Sequence, residues 1–135
     1  MTRAASSPQQ LCPYLAVKGA QAAIDFYVQA FGATRLFIAD EYPDFGAVGP
    51  DTLGGSPVKF YLGVEDADAF VAHAVAHGAT VLRPVKLAFH GERSGLLADP
   101  FGYSWFIATK AEEVSAAEAQ RRWNAMAAAT DAGAS

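Results

Sequence analysis

The sequence is poor in the residues that build disulfide frameworks and metal centres. Its 135 residues include one cysteine, Cys12, and only three histidines. One cysteine excludes an internal disulfide and is typical of a reducing compartment. Charged residues are 18% of the chain and give a net charge of −4, and the ten basic residues are scattered. Because nucleic-acid binding requires clustered lysines and arginines, we expect no such partner.

The chain also lacks a long apolar run. No segment approaches the length of a membrane span, and residues 1–10 have no hydrophobic signal core. We therefore expect no membrane association and a cytoplasmic location. The hydrophobic content of 52% is instead typical of one globular domain with a sizeable core.

The two halves of the chain repeat the same series of signals. Residues 14–17 and 61–64 both read Tyr-Leu-x-Val, and each is followed by an amphipathic run. Gly-Ala-Thr then follows at 32–34 and again at 78–80. Since a repeat of this kind fixes the architecture, we predict a strand, a helix, a glycine stop and a further strand in each half.

In the first half, the pattern predicts strands over residues 11–17 and 34–39, with a helix over Ala20–Phe31 between them. Apolar residues of this helix recur every three or four positions and define its buried face. They are Ala20, Ala23, Ile24, Tyr27, Val28 and Phe31. Residues 40–57 have no periodicity but many glycines and prolines, so we predict a long loop there.

In the second half, strands are predicted over residues 58–64, 79–85, 91–97 and 103–109, and a helix over 66–77. The apolar stripe of that helix is Ala67, Phe70, Val71, Ala74 and Val75. Asp99-Pro100-Phe101-Gly102 forms a turn between the last two strands. Ser115 and Glu118 form a capping box that opens a last helix over 115–126. We expect one domain over residues 11–126, with flexible tails at 1–10 and 127–135.

Several of these motifs, in this order, resemble the vicinal oxygen chelate superfamily of glyoxalases, bleomycin-resistance proteins and extradiol dioxygenases. They are Ile24-Asp25-Phe26-Tyr27, the two Gly-Ala-Thr stops and Asp99-Pro100-Phe101-Gly102. Residues 39–43 (Ala-Asp-Glu-Tyr-Pro), residues 52–57 and Gly91-Glu92-Arg93 are similar to its PhnB-like branch. The resemblance covers about residues 11–123. It implies an α+β fold in which two βαβββ modules enclose a ligand cavity, often around a divalent metal.

The first module is shorter than the resemblance implies. After its Gly-Ala-Thr stop, the second module (residues 58–110) supplies three strands, whereas the first (11–57) offers only one. We therefore predict a truncated first module, with its middle strands missing. Unpaired N–H and C=O groups along the exposed edge would need a partner. We expect a homodimer, formed with or without exchanged elements.

The resemblance also implies where relatives hold their metal with histidine and glutamate side chains. When the sequence is aligned without gaps on residues 24–27, three of the family's four metal-ligand positions fall on Cys12, Lys59 and Phe106. The fourth falls in the strands that are missing. A catalytic zinc typically needs three protein donors, and a lysine ammonium would repel the ion. We therefore expect no metal, no cofactor and no catalytic residue of the family type.

The residues that we predict to bind a ligand are polar or aromatic and come from the second module. They are Tyr61, His90, Glu92, Arg93, Trp105 and Phe106. His90 could be a base near neutral pH, with Glu92 or Arg93 orienting an anionic ligand; an ordinary loop with a salt bridge is the alternative. Trp105 and Phe106 must face opposite sides of their strand, and core packing is the alternative for the aromatic residues.

Three other sets of residues have a simpler explanation than binding. His73 and His77 have the i, i+4 spacing of zinc helices, but they lie off the apolar stripe, so we interpret them as a solvated face. The acidic residues Asp40, Glu41 and Asp44 do not match the spacing of a known cation loop. Cys12 is interpreted as a small buried hydrophobic residue rather than a nucleophile.

We therefore predict a metal-independent protein that binds a small apolar or aromatic compound. In bleomycin-resistance relatives such a cavity lies between subunits. Two alternatives remain open. One is a metal-dependent lyase or isomerase of the glyoxalase type. The other is a self-assembling remnant without a ligand, in which Phe37, Phe60, Phe106 and Trp105 fill the interior.

Overall fold

Four helices and four strands make up the part of the chain that the computed structural model describes, residues 11–36 and 47–133. In chain order they are α1 (Ala20–Phe31), α2 (Pro50–Leu53), β1 (Lys59–Gly63), α3 (Ala67–Ala76), β2 (Thr80–Leu87), β3 (Glu92–Ala98), β4 (Ser104–Lys110) and α4 (Ala116–Gly133). None of these helices is both long enough and apolar enough to cross a membrane.

The strands form one sheet in the spatial order β1-β4-β3-β2. β1 and β4 are parallel, with Phe60 opposite Trp105 and Tyr61 opposite Phe106. β3 is antiparallel to both of its neighbours. The succession β1-α3-β2-β3-β4 is the complete βαβββ module predicted for the second half, which confirms the α+β fold.

The first half contributes helices, and no strand, to the described structure. Residues 11–17 and 34–36 lie outside regular secondary structure, so these two strand predictions are wrong within the described residues. A strand needs a neighbour that satisfies its backbone groups, and no described segment pairs with either stretch. Positions 37–39 of the second predicted strand, and 40–46 of the predicted loop, lie outside the described residues. The rest of that loop contains α2, with Pro50 in its first turn.

Helix α1 has the predicted bounds but buries a slightly different face. Gly32 ends it in the left-handed region, at φ 71°. The fully buried residues of α1 are Ala23, Phe26 and Ala30. Phe26 is outside the predicted stripe, whereas Val28, which is inside it, is exposed. The rotation follows from the aromatic side chain of Phe101, which packs on Phe26 with ring centroids 5.9 Å apart.

Helix α3 lies within the predicted range 66–77 and starts after a capping aspartate. The carboxylate of Asp66 accepts a hydrogen bond from the backbone N–H of Ala69 at 3.1 Å. Ala67, Val71 and Ala74 are buried, whereas Val75 at the other end of the predicted stripe is exposed.

Helices α1 and α3 cover one side of the sheet, which we call the helix-facing side. There the indole of Trp105 packs against Phe60, with centroids 4.7 Å apart, and against Phe31 at 5.0 Å. Leu97 and Ile107 from the two central strands are fully buried. Because strand side chains alternate, the residues that follow Phe60 and Trp105 point to the opposite, open side.

A buried carboxylate joins the first half of the chain to the second. Asp99 is only 5% exposed. Its Oδ2 accepts hydrogen bonds from the Tyr27 hydroxyl at 2.5 Å and from the Trp105 indole N–H at 2.9 Å. Its Oδ1 accepts from the backbone N–H groups of Phe101 at 2.9 Å and Tyr103 at 3.0 Å. Burial, together with the hydrogen bond to Asp99, raises the pKa of Tyr27, so the tyrosine stays a donor.

Helix α4 packs on the open side of the sheet. The hydroxyl of Ser115 accepts from the backbone N–H of Glu118 at 3.1 Å, as the predicted capping box requires. The helix continues to Gly133, past the predicted end at 126, because its alanines favour helix strongly. Arg122 connects the helix to the loops beside the sheet by donating to Glu112, which follows β4, at 2.6 Å and to the carbonyl of Phe89, in the turn before β3, at 3.3 Å.

Replacing Asp99 by asparagine should destabilise the protein more than any single loss among its donors. In Asp99→Asn, an NH₂ group replaces one of the two accepting oxygens, so two donors lose their acceptor. This loss should cost about 2–4 kcal/mol of unfolding free energy. Tyr27→Phe removes one donor only and should cost about 1 kcal/mol. Urea unfolding followed by tryptophan fluorescence measures both.

Glu65→Gln is the matched control, because it changes an exposed carboxylate to an amide. It should leave the unfolding free energy unchanged. Equal stability of the Asp99→Asn variant and the wild type would show that this carboxylate does not join the two halves.

Helix α4 should lose stability in acid. Hydrogen bonds from Arg121 and Arg122 lower the pKa of Glu118 from its usual 4.5 to about 2. A lowered folded-state pKa means that the stabilisation is complete above pH 4.5 and is lost as the pH falls towards 2. The ellipticity difference between the wild type and Glu118→Gln should follow that course. Glu113→Gln, outside the helix, is the control, and a pH-independent difference would contradict the expectation.

Candidate functional site

The open side of the sheet carries a cavity of about 480 Å³. Tyr61, Ser94 and Phe106 form its floor, and strand β2 with the turn at residues 88–91 forms one wall. Trp123 and Met126 of α4 form the opposite wall. The cavity is thus built by the second module and the last helix.

The turn between β2 and β3 is held tightly in place. Gly91 has a φ of 95°, a backbone conformation that only glycine adopts at low cost. A Cβ atom there would also lie 2.6 Å from the carbonyl oxygen of Glu112. The Gly91 carbonyl accepts from the backbone N–H of Ala111 at 2.9 Å. This packing fixes the direction in which the neighbouring residues, His90 and Glu92, enter the cavity.

The acidic side chain among the lining residues is Glu92, and it already accepts a hydrogen bond from Tyr61. The Tyr61 hydroxyl lies 2.8 Å from both carboxylate oxygens of Glu92. Nε2 of His90 lies 3.4 Å from Glu92 Oε2. Partial burial, and then the hydrogen bond to Glu92, raise the pKa of Tyr61. The three residues therefore lie side by side along one wall of the cavity, where the neutral Tyr61 donates a hydrogen bond to Glu92 and His90 lies within ion-pair distance of it.

Two cationic side chains enter the cavity from β2. Arg83 donates from Nη2 to the hydroxyl of Ser94 at 2.9 Å, and its guanidinium carbon lies 5.9 Å from the centroid of the Phe106 ring. Lys86 lines the same wall. In the ladder, Arg83 is opposite Leu96 and Lys86 is opposite Ser94, so β2 carries one extra residue between them. This bulge brings both cations to the open side.

The structure brings together four of the six residues predicted to bind a ligand. Tyr61, His90, Glu92 and Phe106 all line the cavity. The other two lie on the helix-facing side: Arg93 pairs with Asp68 of α3 at 2.9 Å, and Trp105 is packed in the core. The alternative explanation, core packing, therefore fits Trp105 and its neighbour Phe60 but not Phe106.

Sequence reasoning missed two thirds of the residues that line the cavity. The missed residues include Arg83, Lys86, Ser94, Phe89, Trp123 and Met126. The rings of Phe89 and Trp123 pack with centroids 5.2 Å apart, which makes the wall formed by α4 apolar. An apolar seam with Trp123 and Met126 is visible in the sequence of α4, but nothing in that seam shows which surface it covers.

The metal-ligand positions implied by the resemblance do not converge in the described structure. Cys12 is exposed, and Lys59 and Phe106 are not metal donors. His73 and His77 hydrogen-bond to the carbonyls of Gln29 at 2.8 Å and of His73 at 2.9 Å, respectively. Among the described residues, no group of three histidine, cysteine, aspartate or glutamate side chains could hold a metal ion.

Comparisons with known proteins agree with this architecture. The family model of the Glyoxalase/Bleomycin resistance protein/Dioxygenase superfamily matches residues 9–107. The uncharacterised protein Rv0887c of Mycobacterium tuberculosis is 33% identical over 144 residues, covering 88% of this chain and 85% of that protein.

Two solved structures illustrate the likeness of fold. A glyoxalase-related enzyme from Fulvimarina pelagi superposes with a TM-score of 0.60 and 24% identity, over 76% of this chain and 88% of that chain. TioX from Micromonospora sp. ML1 gives a TM-score of 0.57 and 21% identity, over 79% of this chain and 100% of that chain. With the family model covering most of the domain, the chain belongs to the glyoxalase/bleomycin resistance protein/dioxygenase superfamily.

Proposed function

We propose that this protein binds a small apolar or aromatic molecule without a metal ion, in the cavity on the open side of its sheet. The observation that carries the proposal is the cavity itself, with a volume of about 480 Å³. Ligand sites are typically concave, roughly 300–1,000 Å³ in volume and mostly apolar with a few polar groups that orient the ligand. The rings of Phe106 and Trp123 supply the apolar surface here, and Tyr61 and Ser94 supply polar groups.

Metal independence follows from the donors that the cavity offers. His90 and Glu92 are the ligand-type side chains among its described lining residues, and Glu92 is already bonded to Tyr61. A catalytic zinc typically requires three protein ligands. Arg83 and Lys86 add positive charge that opposes binding of a cation. These features argue against a metal-dependent lyase or isomerase.

The cavity also favours the binding proposal over the alternative of a self-assembling remnant without a ligand. The remnant predicts an interior filled by aromatic side chains. Trp105 does pack against the helix-facing core, with Phe60 on its ring, and Phe37 lies outside the described residues. Phe106, in contrast, lies on the floor of an open space. Binding therefore explains the open side of the sheet, which the remnant does not.

We also propose that the first module is shortened and that a second copy of the chain covers the edge of β1. In the described sheet, β1 pairs with β4 alone, so its other edge has unpaired backbone groups. The alignment with Rv0887c spans 144 positions but covers 88% of this 135-residue chain, so that relative has residues without a counterpart here. The PhnB-like assignment is part of the same proposal and is supported by Gly91-Glu92-Arg93.

Apolar residues beside β1 support the same homodimer. A groove of about 530 Å³ runs along this edge of the sheet. Its lining includes side chains that are unusually exposed for their type: Leu11 at 97%, Tyr14 at 83% and Leu53 at 58%. Exposed apolar patches of this kind typically mark protein interfaces. The proposal leaves open whether the subunits exchange elements.

Aromatic small molecules should stabilise the protein through this cavity. With neutral phenylnaphthylamine as the probe, we expect fluorescence enhancement and a higher melting temperature. Met126→Glu should weaken binding roughly tenfold or more, because a carboxylate in an apolar wall must be desolvated. Met126 is 52% exposed, so the substitution should leave folding intact.

Val75→Glu is the matched control, since Val75 is an exposed apolar helix residue that does not line the cavity. It should bind the probe as the wild type does. A screen in which no small molecule stabilises the wild type would refute the binding proposal. One equivalent of nickel, zinc or iron per chain, in protein purified without chelator, would refute metal independence.

The homodimer should depend on the apolar edge beside β1. We expect a dimer in sedimentation equilibrium and a shift towards monomer for Leu53→Lys, because the charge cannot be buried at an apolar interface. Leu82→Lys is the matched control: Leu82 is 52% exposed, compared with 58% for Leu53, and lies on β2 at the other edge. A wild-type monomer, or dissociation caused by Leu82→Lys alone, would contradict this arrangement.

A further inference from the structure

We propose that the ligand is an organic anion, whose acidic group binds Arg83 and Lys86 while its apolar body lies against Phe106 and the wall of α4. This inference rests on the proposed binding function and narrows it to one class of ligand. The class is a single carboxylate, sulfonate or phosphate group on an aromatic or aliphatic body.

Arg83 differs from the other arginines among the described residues because it forms no ion pair with a described carboxylate. Arg35, Arg93, Arg121 and Arg122 each form an ion pair with an aspartate or glutamate. Arg83 has no carboxylate within ion-pair distance among the described residues, although the whole protein carries a net charge of −4. An arginine left without a counterion in an acidic protein is available to an anionic ligand.

The guanidinium of Arg83 is also fixed in position by its neighbours. Nη2 is fixed by the hydroxyl of Ser94, and the group lies over the ring of Phe106. Its Nε is buried and has no hydrogen-bond partner in the described structure. A buried donor that lacks a partner costs free energy, which an acceptor on a ligand would recover. Preorganisation of this kind is what recognition of a carboxylate or phosphate by arginine requires.

Lys86 adds a second positive charge on the same wall. It forms no ion pair with a described carboxylate, and the bulge in β2 places it on the same side as Arg83. Glu92 does not neutralise the two cations, because its oxygens accept from Tyr61 and contact His90 instead. The cavity is therefore divided into a cationic end at β2 and an acidic, hydrogen-bonded end at Glu92.

The apolar lining determines the rest of the ligand. The rings of Phe106, Phe89 and Trp123 and the thioether of Met126 leave few polar groups to bind a sugar or a second charged group. A nucleotide or an inorganic anion would leave this surface unused. An acidic group attached to an apolar body matches both halves of the cavity.

A pair of fluorescent probes with the same body tests the inference. Anilinonaphthalenesulfonate carries a negative charge, and phenylnaphthylamine is the neutral compound with the same two ring systems. The wild type should bind the anion roughly tenfold more tightly or better, because a charge-assisted hydrogen bond adds that much affinity. This preference should decrease as the salt concentration rises.

Lys86→Met and Arg83→Gln should each weaken binding of the anionic probe roughly tenfold while leaving the neutral probe within about twofold. Lys86 is exposed, so its variant should fold even if Arg83→Gln does not. Arg35→Gln is the control, since it changes the net charge equally at an ion pair with Asp25 outside the cavity.

The outcomes separate this inference from the function on which it rests. If neither probe binds the wild type, the proposed binding function fails. If the neutral probe binds as tightly as the anion, or if Arg35→Gln weakens the anion as much as Lys86→Met does, binding survives and the anion inference is overturned.

Discussion

The packing of the first half of the chain against the second depends on the buried carboxylate of Asp99. Its two oxygens receive four donors, from Tyr27 in the first half and from Trp105, Phe101 and Tyr103 in the second. An unpaired buried carboxylate would cost several kcal/mol, so the donors must all be in place once the turn folds. This requirement sets the position of α1 on the helix-facing side. The helices then cover the helix-facing side, and the strand residues at alternate positions, many of them polar or aromatic, point to the open side.

A second constraint, the bulge in β2, gives the open side its charge. Residues 83 and 86 are an odd number of positions apart, so regular alternation would place them on opposite sides of the sheet. The extra residue in β2 places both on the open side. Gly95 on β3 makes room for the bulge, since a Cβ atom there would lie 3.0 Å from Val85 Cγ2 and 3.1 Å from the Arg83 carbonyl. A glycine on one strand thus permits the cation pair on the next.

These two constraints explain which features could be predicted from the sequence. Periodicity found α1, α3 and the four strands of the second module, because each of these elements buries a face that its spacing displays. It failed for residues 11–17, whose apolar composition resembles a strand but which have no pairing partner in the described structure. For the site, alternation required that Trp105 and Phe106 face opposite sides, and the register of the parallel strands then places Phe106 opposite Tyr61. It could not place Arg83 and Lys86, because a bulge depends on the neighbouring strand.

The uncovered part of the open side links the proposed binding site to the proposed dimer. Helix α4 covers the cavity from the side of β2, whereas Tyr61 on β1 remains 60% exposed although its hydroxyl is bonded to Glu92. A complete second sheet would cover β1 in a protein with two full modules. Here the described first half provides helices only, and no described segment closes the cavity on the side of β1. A site closed by a second copy would desolvate Tyr61 and Glu92 and strengthen the hydrogen bond between them. Dimerisation would then raise ligand affinity without any change in the residues that touch the ligand.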